Sequence, residues 1–377
     1  MEKFPLCGFC MGRFSEGPAS IAAGDAECRI CRGAMGEAGG LIELAVSAQD
    51  FEWETFSVSS TFPKDVFLRE EELADFAGPG HFTSIKNSAN ALLAAGISKA
   101  TGKRNSQREG DAVFEFDFKK LSARARPSSL YVFGHYLKFS RSHCQSRWHC
   151  SDCGGKGCES CGGSGRNYPS IEDELGGPVA AAFNAEEFTL HASGREDVDV
   201  RALGSGRPFV LELRNPKKRV ADLAGVEKRL SENKNVSAIG LKMVRKRFLD
   251  SVCNSHFDKE YSALVSASRP FGSQDAKKIE SLAGKTIFQQ TPNRVLSRRA
   301  DMERKRKILS ISAKPDGKGK LRIHLLAEAG TYIKELVSSD GGRTRPSVSE
   351  LLSCNAVCEG LDVVCIRDYF LKTVRID

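Results

Sequence analysis

Apolar and polar residues alternate in several segments of the N-terminal part of the chain, which predicts β-strands. Residues 112–118 alternate apolar with acidic side chains, the pattern of a half-buried strand. Residues 51–58 and 128–141 mix aromatic and β-branched residues with polar ones. Residues 87–100 place leucine and alanine at helical spacing. These patterns predict a small α/β module between about residues 41 and 143.

The C-terminal half repeats the same mixture of patterns without a long linker. Two of its strand-like runs flank the sequence PDGKG at 315–319, which predicts a hairpin. The mixture predicts one larger α/β domain from about residue 167 to the end. The expected strands are 209–213, 237–244, 262–268, 308–313 and 321–326, and the expected helices lie near 332–338 and 347–353.

Cysteine usage changes this picture, because eight of the 13 cysteines fall into four CxxC pairs. In a cytosolic chain such pairs indicate zinc before disulfides, and an odd total agrees with that interpretation. Two tight turns that each carry a CxxC pair complete a tetrahedral site of four thiolates. A segment as short as 1–40 can hardly build its own core, so we expect structural zinc at Cys7, Cys10, Cys28 and Cys31. The alternative is four free cysteines in a disordered tail.

Residues 144–166 form a second cysteine- and glycine-rich segment. Its repeat, CSDCGGKG followed by CESCGGSG, resembles half of the zinc-binding region of DnaJ-type chaperones. Glycines permit the short return loop between the pairs. We therefore expect one or two structural zinc ions in total, the second held by Cys150, Cys153, Cys158 and Cys161. The alternative ligands are His143, Cys144 and His149.

Composition narrows the functional classes. The net charge of +8 and the pI of about 8.8 weakly favour a nucleic-acid partner. No stretch of about 18 apolar residues is present, which excludes a membrane-spanning helix. The first residues lack the apolar run of a signal peptide, so we expect a cytoplasmic protein.

Four segments carry candidate chemistry, and each has an ordinary structural alternative. The loop 194–201 (GREDVDVR) can hold a carboxylate beside a cation as nucleophile or base, or it is a solvated turn. Segment 330–336 (GTYIKEL) follows a strand and offers a lysine to a carboxylate, or it is a plain helix start. The basic run 294–307 suits a nucleic-acid backbone or a solvated helix face. Aromatic and basic residues in 128–141 suit RNA contact or a sheet strand.

The order of these motifs resembles a known family. GREDVDVRALGSGRPFVLEL, KEYSALV, QQTPNRVLSRRAD and GTYIKELVSSDGGRTRPSVSELL closely resemble the archaeal tRNA pseudouridine synthases that act on uridines 54 and 55. The similarity covers several independent motifs in the C-terminal half. The N-terminal cysteine pairs and YVFGHYLKFSR are similar to the accessory region of that family, which contains a THUMP RNA-binding fold.

The resemblance implies an α/β (α+β) chain in four parts. A zinc-binding segment occupies 1–40, and a THUMP-like RNA-binding domain occupies 41–143. A cysteine- and glycine-rich segment at 144–166 is a possible second zinc site. The pseudouridine synthase domain, with a mixed or antiparallel sheet, occupies 167–377. The implied partner is tRNA, with no membrane, no nucleotide cofactor and no cofactor for catalysis.

The resemblance also implies roles for individual residues. Asp197 matches the essential aspartate of the G-R-x-D motif, and Asp199 is the runner-up in the same loop. Arg195 matches the arginine that takes the space of the flipped-out nucleotide. Tyr261 matches the tyrosine that stacks on the target uracil, and Tyr332 is a candidate substrate contact. Lys334 matches the basic residue that pairs with the catalytic aspartate, and Leu336 matches the packing leucine of the same motif.

Rival functions lack their own motifs. A THUMP-containing methyltransferase needs a glycine-rich loop after a strand, but Gly33, Gly36 and Gly39 lie inside the zinc segment. A thiouridine synthase needs an SGGxDS-like ATP loop, and none is present. A zinc-dependent RNA-binding or chaperone module leaves the C-terminal half unexplained. Whether the catalytic aspartate of such a synthase attacks C1′ of the ribose or removes a proton from the sugar stays open.

Overall fold

The protein divides into two compact units. The computed structural model describes residues 4–15, 20–47, 49–77, 81–106, 109–297, 299–317 and 319–370. The smaller unit comprises residues up to 129 together with 183–186 and 214–220, and the larger unit comprises the rest. Among the described helices, none combines the length and the apolarity that crossing a bilayer requires. The division of the chain into four parts stays a prediction.

The smaller unit contains a four-stranded sheet and a separate two-stranded sheet. Its strands are β1 (Phe4–Leu6), β2 (Ser20–Ala22), β3 (Thr55–Thr61), β4 (Arg104–Asn105), β5 (Ala112–Asp117) and β6 (Ser122–Pro127). Its helices are α1 (Gly8–Met11), α2 (Ala38–Ser47), α3 (Lys64–Ala77) and α4 (Ile85–Thr101). The sheet order is β4-β3-β5-β6, in which β3 is parallel to β5 and β5 is antiparallel to β6. A separate parallel pair, β1 and β2, lies within the N-terminal cysteine segment.

Helix α4 shows how the sequence pattern produces this unit. Ile85, Ala89, Leu93 and Ile97 repeat every four residues, and all four are fully buried. The Ser84 side chain caps the helix by accepting from the Asn87 amide at 3.3 Å. The helix ends at Gly102, whose φ of +71° few other residues adopt readily. The predicted helix is confirmed, as is the alternating strand β5.

The larger unit contains a ten-stranded sheet. Its strands are β7 (Leu130–Lys138), β8 (Glu187–Ala192), β9 (Arg201–Arg214), β10 (Val236–Val244), β11 (Lys259–Ala267), β12 (Thr286–Gln289), β13 (Arg304–Pro315), β14 (Leu321–Ala327), β15 (Thr344–Arg345) and β16 (Ala356–Ile366). Its helices are α5 (Ile171–Ala182), α6 (Leu223–Ser231), α7 (Arg247–Cys253), α8 (Asp275–Glu280), α9 (Ile333–Ser338) and α10 (Val348–Leu352).

The sheet order is β10-β7-β9-β16-β11-β14-β13-β12-β15, with β8 paired to β9. β9 and β16 are parallel, whereas β7 with β9 and β11 with β14 are antiparallel. The predicted mixed sheet is therefore confirmed. The predicted hairpin is confirmed as β13 and β14, although Lys318 of its turn lies outside the described residues.

Two elements differ from the sequence-based expectation. The strand expected at 51–58 runs instead from Thr55 to Thr61. Strand β7, expected in the module at 41–143, pairs with β9 and β10 in the sheet of the larger unit. Eight of its nine residues are buried, so both faces are covered. Periodicity cannot reveal the neighbours of such a strand.

Candidate active site

A charged loop connects β8 to β9 and forms the centre of the candidate site. It begins at Gly194, whose φ is +78°. A Cβ atom there would lie 3.1 Å from Nη1 of Arg207, so glycine suits both the backbone and the close approach. The loop ends where Val200, which is buried, leads into β9. Asp197 and Asp199 lie between these two points.

Glu196 anchors the loop in the protein interior. Its carboxylate lies 2.7 Å from Nε of Arg207, and both side chains are at least 98% buried. The Tyr136 hydroxyl donates toward the two carboxylate oxygens at 2.8 and 2.9 Å. Burial and the Glu196 charge raise the pKa of Tyr136 well above its usual value. Because a buried charge is costly unless paired, this contact fixes the loop at its middle.

Two further side chains hold the loop backbone. Gln145 donates through Nε2 to the Tyr136 hydroxyl at 2.8 Å and to the Gly194 carbonyl at 2.9 Å. Lys138 donates through Nζ to the carbonyls of Asp197 and Val198 at 3.0 and 2.7 Å. Burial lowers the pKa of Lys138 to about 8, although the charges of Glu196 and Asp199 oppose the shift. The loop backbone therefore has few alternative positions.

The Asp197 side chain emerges from this anchored loop and stays partly exposed. Its Oδ1 accepts a hydrogen bond from Nη1 of Arg294 at 2.9 Å, and its Oδ2 lies 3.3 Å from Nζ of Lys334. Each oxygen therefore faces its own cation. This arrangement fixes the orientation of a carboxylate that is 38% exposed.

Both cations are shared with a second carboxylate. Lys334 donates to the two oxygens of Asp199 at 2.7 Å each, closer than its contact with Asp197. Burial alone would raise the pKa of Asp199, but the hydrogen bond and charge of Lys334 outweigh it and lower that pKa. Arg294 donates through Nε to Glu335 at 2.7 Å. The five groups form a row of alternating charge with Asp197 at its centre.

Helix α9 supplies two members of this row. It begins after Tyr332, whose amide donates to Gln289 and whose carbonyl accepts from Gln289, both at 2.9 Å. Leu336 is buried in the core of the larger unit, so it holds the helix against the sheet. The Tyr332 hydroxyl accepts a hydrogen bond from Arg299 at 3.1 Å. Lys334 therefore reaches Asp197 from a fixed helical start.

The other two predicted site residues differ in exposure. Arg195 is exposed, directly before Glu196. Tyr261 lies in β11 and is only 7% exposed. Burial raises the pKa of Tyr261 to about 12, although the charge of Arg207 opposes the shift. Among the described residues, no hydrogen bond joins Tyr261 to the Asp197 loop.

Sequence reasoning missed several residues of the site. Arg294 was assigned to a basic nucleic-acid surface, but it pairs with Asp197 and Glu335. For the run 294–307 the alternative of a solvated helix face is wrong, because β13 begins at Arg304. A nucleic-acid surface along the rest of the run stays a prediction, and Arg298 lies outside the described residues. Of the two interpretations of 128–141, the sheet strand is confirmed, and RNA contact is wrong for Tyr136 and Lys138, since both are fully buried. A buried charge is costly unless it is paired, and on this ground the sequence could have predicted a buried partner for a carboxylate of this loop such as Glu196.

Two groups of four cysteines have metal-site geometry. In each group the Sγ atoms all lie within 4.8 Å of one another. The first consists of Cys7, Cys10, Cys28 and Cys31, all buried, and the second consists of Cys150, Cys153, Cys158 and Cys161. The Cys7 and Cys31 sulfurs are 3.7 Å apart. Zinc–sulfur bonds of about 2.3 Å in a tetrahedron place sulfurs roughly 3.8 Å apart. The residues present therefore fit zinc.

Comparisons with known proteins match most of the chain. A family model described as "Pus10, C-terminal" matches residues 131–367. The tRNA pseudouridine synthase Pus10 of Korarchaeum cryptofilum is 35% identical over 347 residues, which cover 89% of this chain and 92% of the relative. The protein of that name from Archaeoglobus fulgidus is 34% identical over 364 residues, which cover 96% of this chain and 99% of the relative.

A solved Cbf5–Nop10–Gar1 complex is also similar, with a TM-score of 0.34 and 17% identity over 54% of this chain and 53% of that chain. A TM-score this low supports no argument about function. The family match and the relatives carry the assignment, because together they span nearly the whole sequence. The chain belongs to the Pus10 family of tRNA pseudouridine synthases.

Proposed function

We propose that this protein isomerises uridine to pseudouridine at position 54, position 55 or both in the T-loop of tRNA, with Asp197 as its catalytic carboxylate. The observation that carries the proposal is the position of Asp197. It is partly exposed, faces Arg294 and Lys334, and follows a buried anchor in the same loop. The choice of positions 54 and 55 rests on the resemblance of the sequence motifs.

The reaction explains why such a carboxylate is needed. Pseudouridine formation breaks the bond between N1 of uracil and C1′ of ribose, and then joins C1′ to C5. The C5 proton is lost and N1 gains one, so the product is an isomer and no redox cofactor is required. A fixed carboxylate either attacks C1′ or removes a sugar proton to release the base. Both routes require Asp197 to reach the ribose, which its partial exposure allows.

Access to the ribose requires the uridine to leave its stack. Arg195 is exposed two residues before Asp197, so it is suited to fill the space left by the flipped nucleotide. Tyr332 lies at the start of α9, where its hydroxyl and a carbonyl oxygen of a bound uracil can both accept from Arg299. Tyr261 offers little free surface, so stacking on the uracil requires a neighbouring group to move when RNA binds.

The smaller unit is proposed to bind tRNA and to contain structural zinc. Four buried thiols within 4.8 Å of one another suit a tetrahedral zinc ion better than free cysteines. Phe4, Leu6 and Ile30 are buried in the same core as these cysteines, which links the cluster to the fold of the unit. We assign the metal no part in the chemistry. The THUMP identity of this unit and a cytoplasmic location stay predictions.

Asp197→Asn is expected to lower the rate of pseudouridine formation about a thousand-fold or more, because an amide supplies neither charge nor nucleophile. Binding of tRNA should survive, since the loop is anchored by Glu196 rather than by Asp197. The measurement is single-turnover conversion of an unmodified tRNA transcript, together with its dissociation constant. Asp199→Asn is the matched control and should stay within about tenfold of wild type. A larger loss for Asp199→Asn than for Asp197→Asn would move the catalytic role to Asp199.

Lys334→Met removes the ammonium group that faces Oδ2 of Asp197, and turnover is expected to fall roughly tenfold to hundredfold. Hydrogen bonds to charged groups contribute about 1.5–3 kcal/mol, and each 1.4 kcal/mol of barrier is about tenfold in rate. The control is Lys285→Met, which removes an exposed lysine of the larger unit. Both variants should unfold at temperatures close to that of wild type. Equal rates for the two variants would show that Lys334 does not position Asp197.

Replacing Cys7 and Cys10 together by serine is expected to remove one zinc ion per chain and to destabilise the smaller unit. The reason is that the metal joins two turns of a segment with little core of its own. Elemental analysis and thermal unfolding measure the two effects. Cys253→Ser, an exposed cysteine outside both groups, should change neither. A chain that loses no zinc in the double variant contradicts the assignment.

A further inference from the structure

The segment from Cys150 to Arg166 has the properties of a metal-folded finger. We propose that Cys150, Cys153, Cys158 and Cys161 bind a second zinc ion, and that this ion alone gives the finger its fold. The inference rests on residues of the larger unit that are separate from the Asp197 loop and from the N-terminal cysteines. It does not depend on the proposed reaction.

The spacing of the sulfurs favours a metal over disulfides. Cys150 and Cys158 are 3.9 Å apart, Cys153 and Cys161 are 4.0 Å apart, and Cys158 and Cys161 are 3.7 Å apart. A tetrahedron of zinc–sulfur bonds requires roughly 3.8 Å, whereas a disulfide requires about 2.05 Å. Cys158 and Cys161 each have two such neighbours, which a set of paired bridges would not produce. Four soft sulfur ligands select zinc over magnesium or calcium.

Backbone amides point at the sulfurs in the same way in both repeats. The Gly157 amide donates to Sγ of Cys153 and the Gly165 amide donates to Sγ of Cys161, each at 3.2 Å. In each repeat the donor lies four residues after the acceptor cysteine. Such donors stabilise the thiolate form that a metal requires. Two unrelated turns would have no reason to share this arrangement.

Glycine is required at both donor positions. Gly157 has a φ of +91°, and a Cβ atom there would lie 2.7 Å from the carbonyl oxygen of Gly163. Gly165 has a φ of +68°, and its Cβ would lie 2.4 Å from the carbonyl oxygen of Gly155. Each repeat therefore packs its backbone against a glycine of the other. The two turns form one interlocked unit around the sulfurs.

No apolar core is available to order this unit. Between Trp148 and Tyr168 the sequence contains no aliphatic or aromatic side chain apart from histidine. Six glycines in the segment add conformational entropy to the unfolded chain, which opposes folding. Since neither apolar burial nor side-chain stiffness favours a single conformation, a cross-link must do so. The four-cysteine group is the cross-link that the segment offers.

The base of the finger has independent support. The Cys144 amide donates to the Pro169 carbonyl at 3.0 Å, and the Ile171 amide donates to the Cys144 carbonyl at 2.9 Å. The Arg147 guanidinium donates to Asp173 at 2.7 Å. Loss of the metal should therefore release the tip while the base and the rest of the unit stay folded. This makes a cysteine variant a usable test.

The test compares Cys158→Ser/Cys161→Ser with Cys354→Ser/Cys358→Ser in the full chain. The control pair lies outside both four-cysteine groups and is half-buried in the same unit. We expect the first variant to bind one zinc ion fewer per chain, measured by elemental analysis, and the control to match wild type. Trypsin should cleave after Lys156, which is exposed at the tip, at least tenfold faster in the first variant. Unfolding temperatures should confirm that both variants fold.

Wild-type protein treated with a zinc chelator provides a second measurement that needs no substitution. Its cleavage after Lys156 should accelerate to the rate of the first variant. Unchanged zinc content in the first variant, iron in place of zinc, or a disulfide among these cysteines by mass spectrometry would each overturn the proposal. Equal cleavage rates with and without chelator would also overturn it. None of these measurements uses RNA, so failure of the proposed function would not affect their outcome.

Discussion

The buried contact between Glu196 and Arg207 is the constraint on which the candidate site depends. Removing one partner of a buried ion pair typically costs about 3–5 kcal/mol, because the other charge is left without compensation. The pair therefore holds the loop between β8 and β9 against the sheet. Tyr136 and Lys138, from the neighbouring strand β7, complete the support through the Glu196 carboxylate and the loop carbonyls. The direction of Asp197 follows from its place next to this anchor.

The two cations that face Asp197 differ in the exposure of the second carboxylate that each one contacts. Lys334 also binds Asp199, and Arg294 also binds Glu335, so neither is committed to Asp197 alone. Glu335 is buried and follows Lys334 in α9, whereas Asp199 is mostly exposed. The Arg294 side of the row is therefore more rigid than the Lys334 side. A substrate that approaches Asp197 meets a carboxylate that is already oriented and partly free of water.

The sequence predicted individual helices and strands more successfully than the elements that pack against them. The period of four in α4 and the alternation in β5 follow from burial on one face, which a sequence records directly. Strand β7 is buried on both faces. Its interleaved aromatic and basic residues resemble an RNA-binding surface in the sequence, because the strands that cover it are distant along the chain. The proximity of Lys334 and Asp197 was predicted because both occur in motifs of a recognised family. Arg294 was missed because long-range pairing leaves no periodic signal in a chain.

The most direct test of the account is to map pseudouridines in an unmodified tRNA transcript that has been incubated with the purified protein. The account predicts new pseudouridine at position 54, position 55 or both, without any added cofactor. A transcript that the folded protein binds but does not modify would contradict the account. Pseudouridine formed only outside the T-loop would contradict the proposed substrate position.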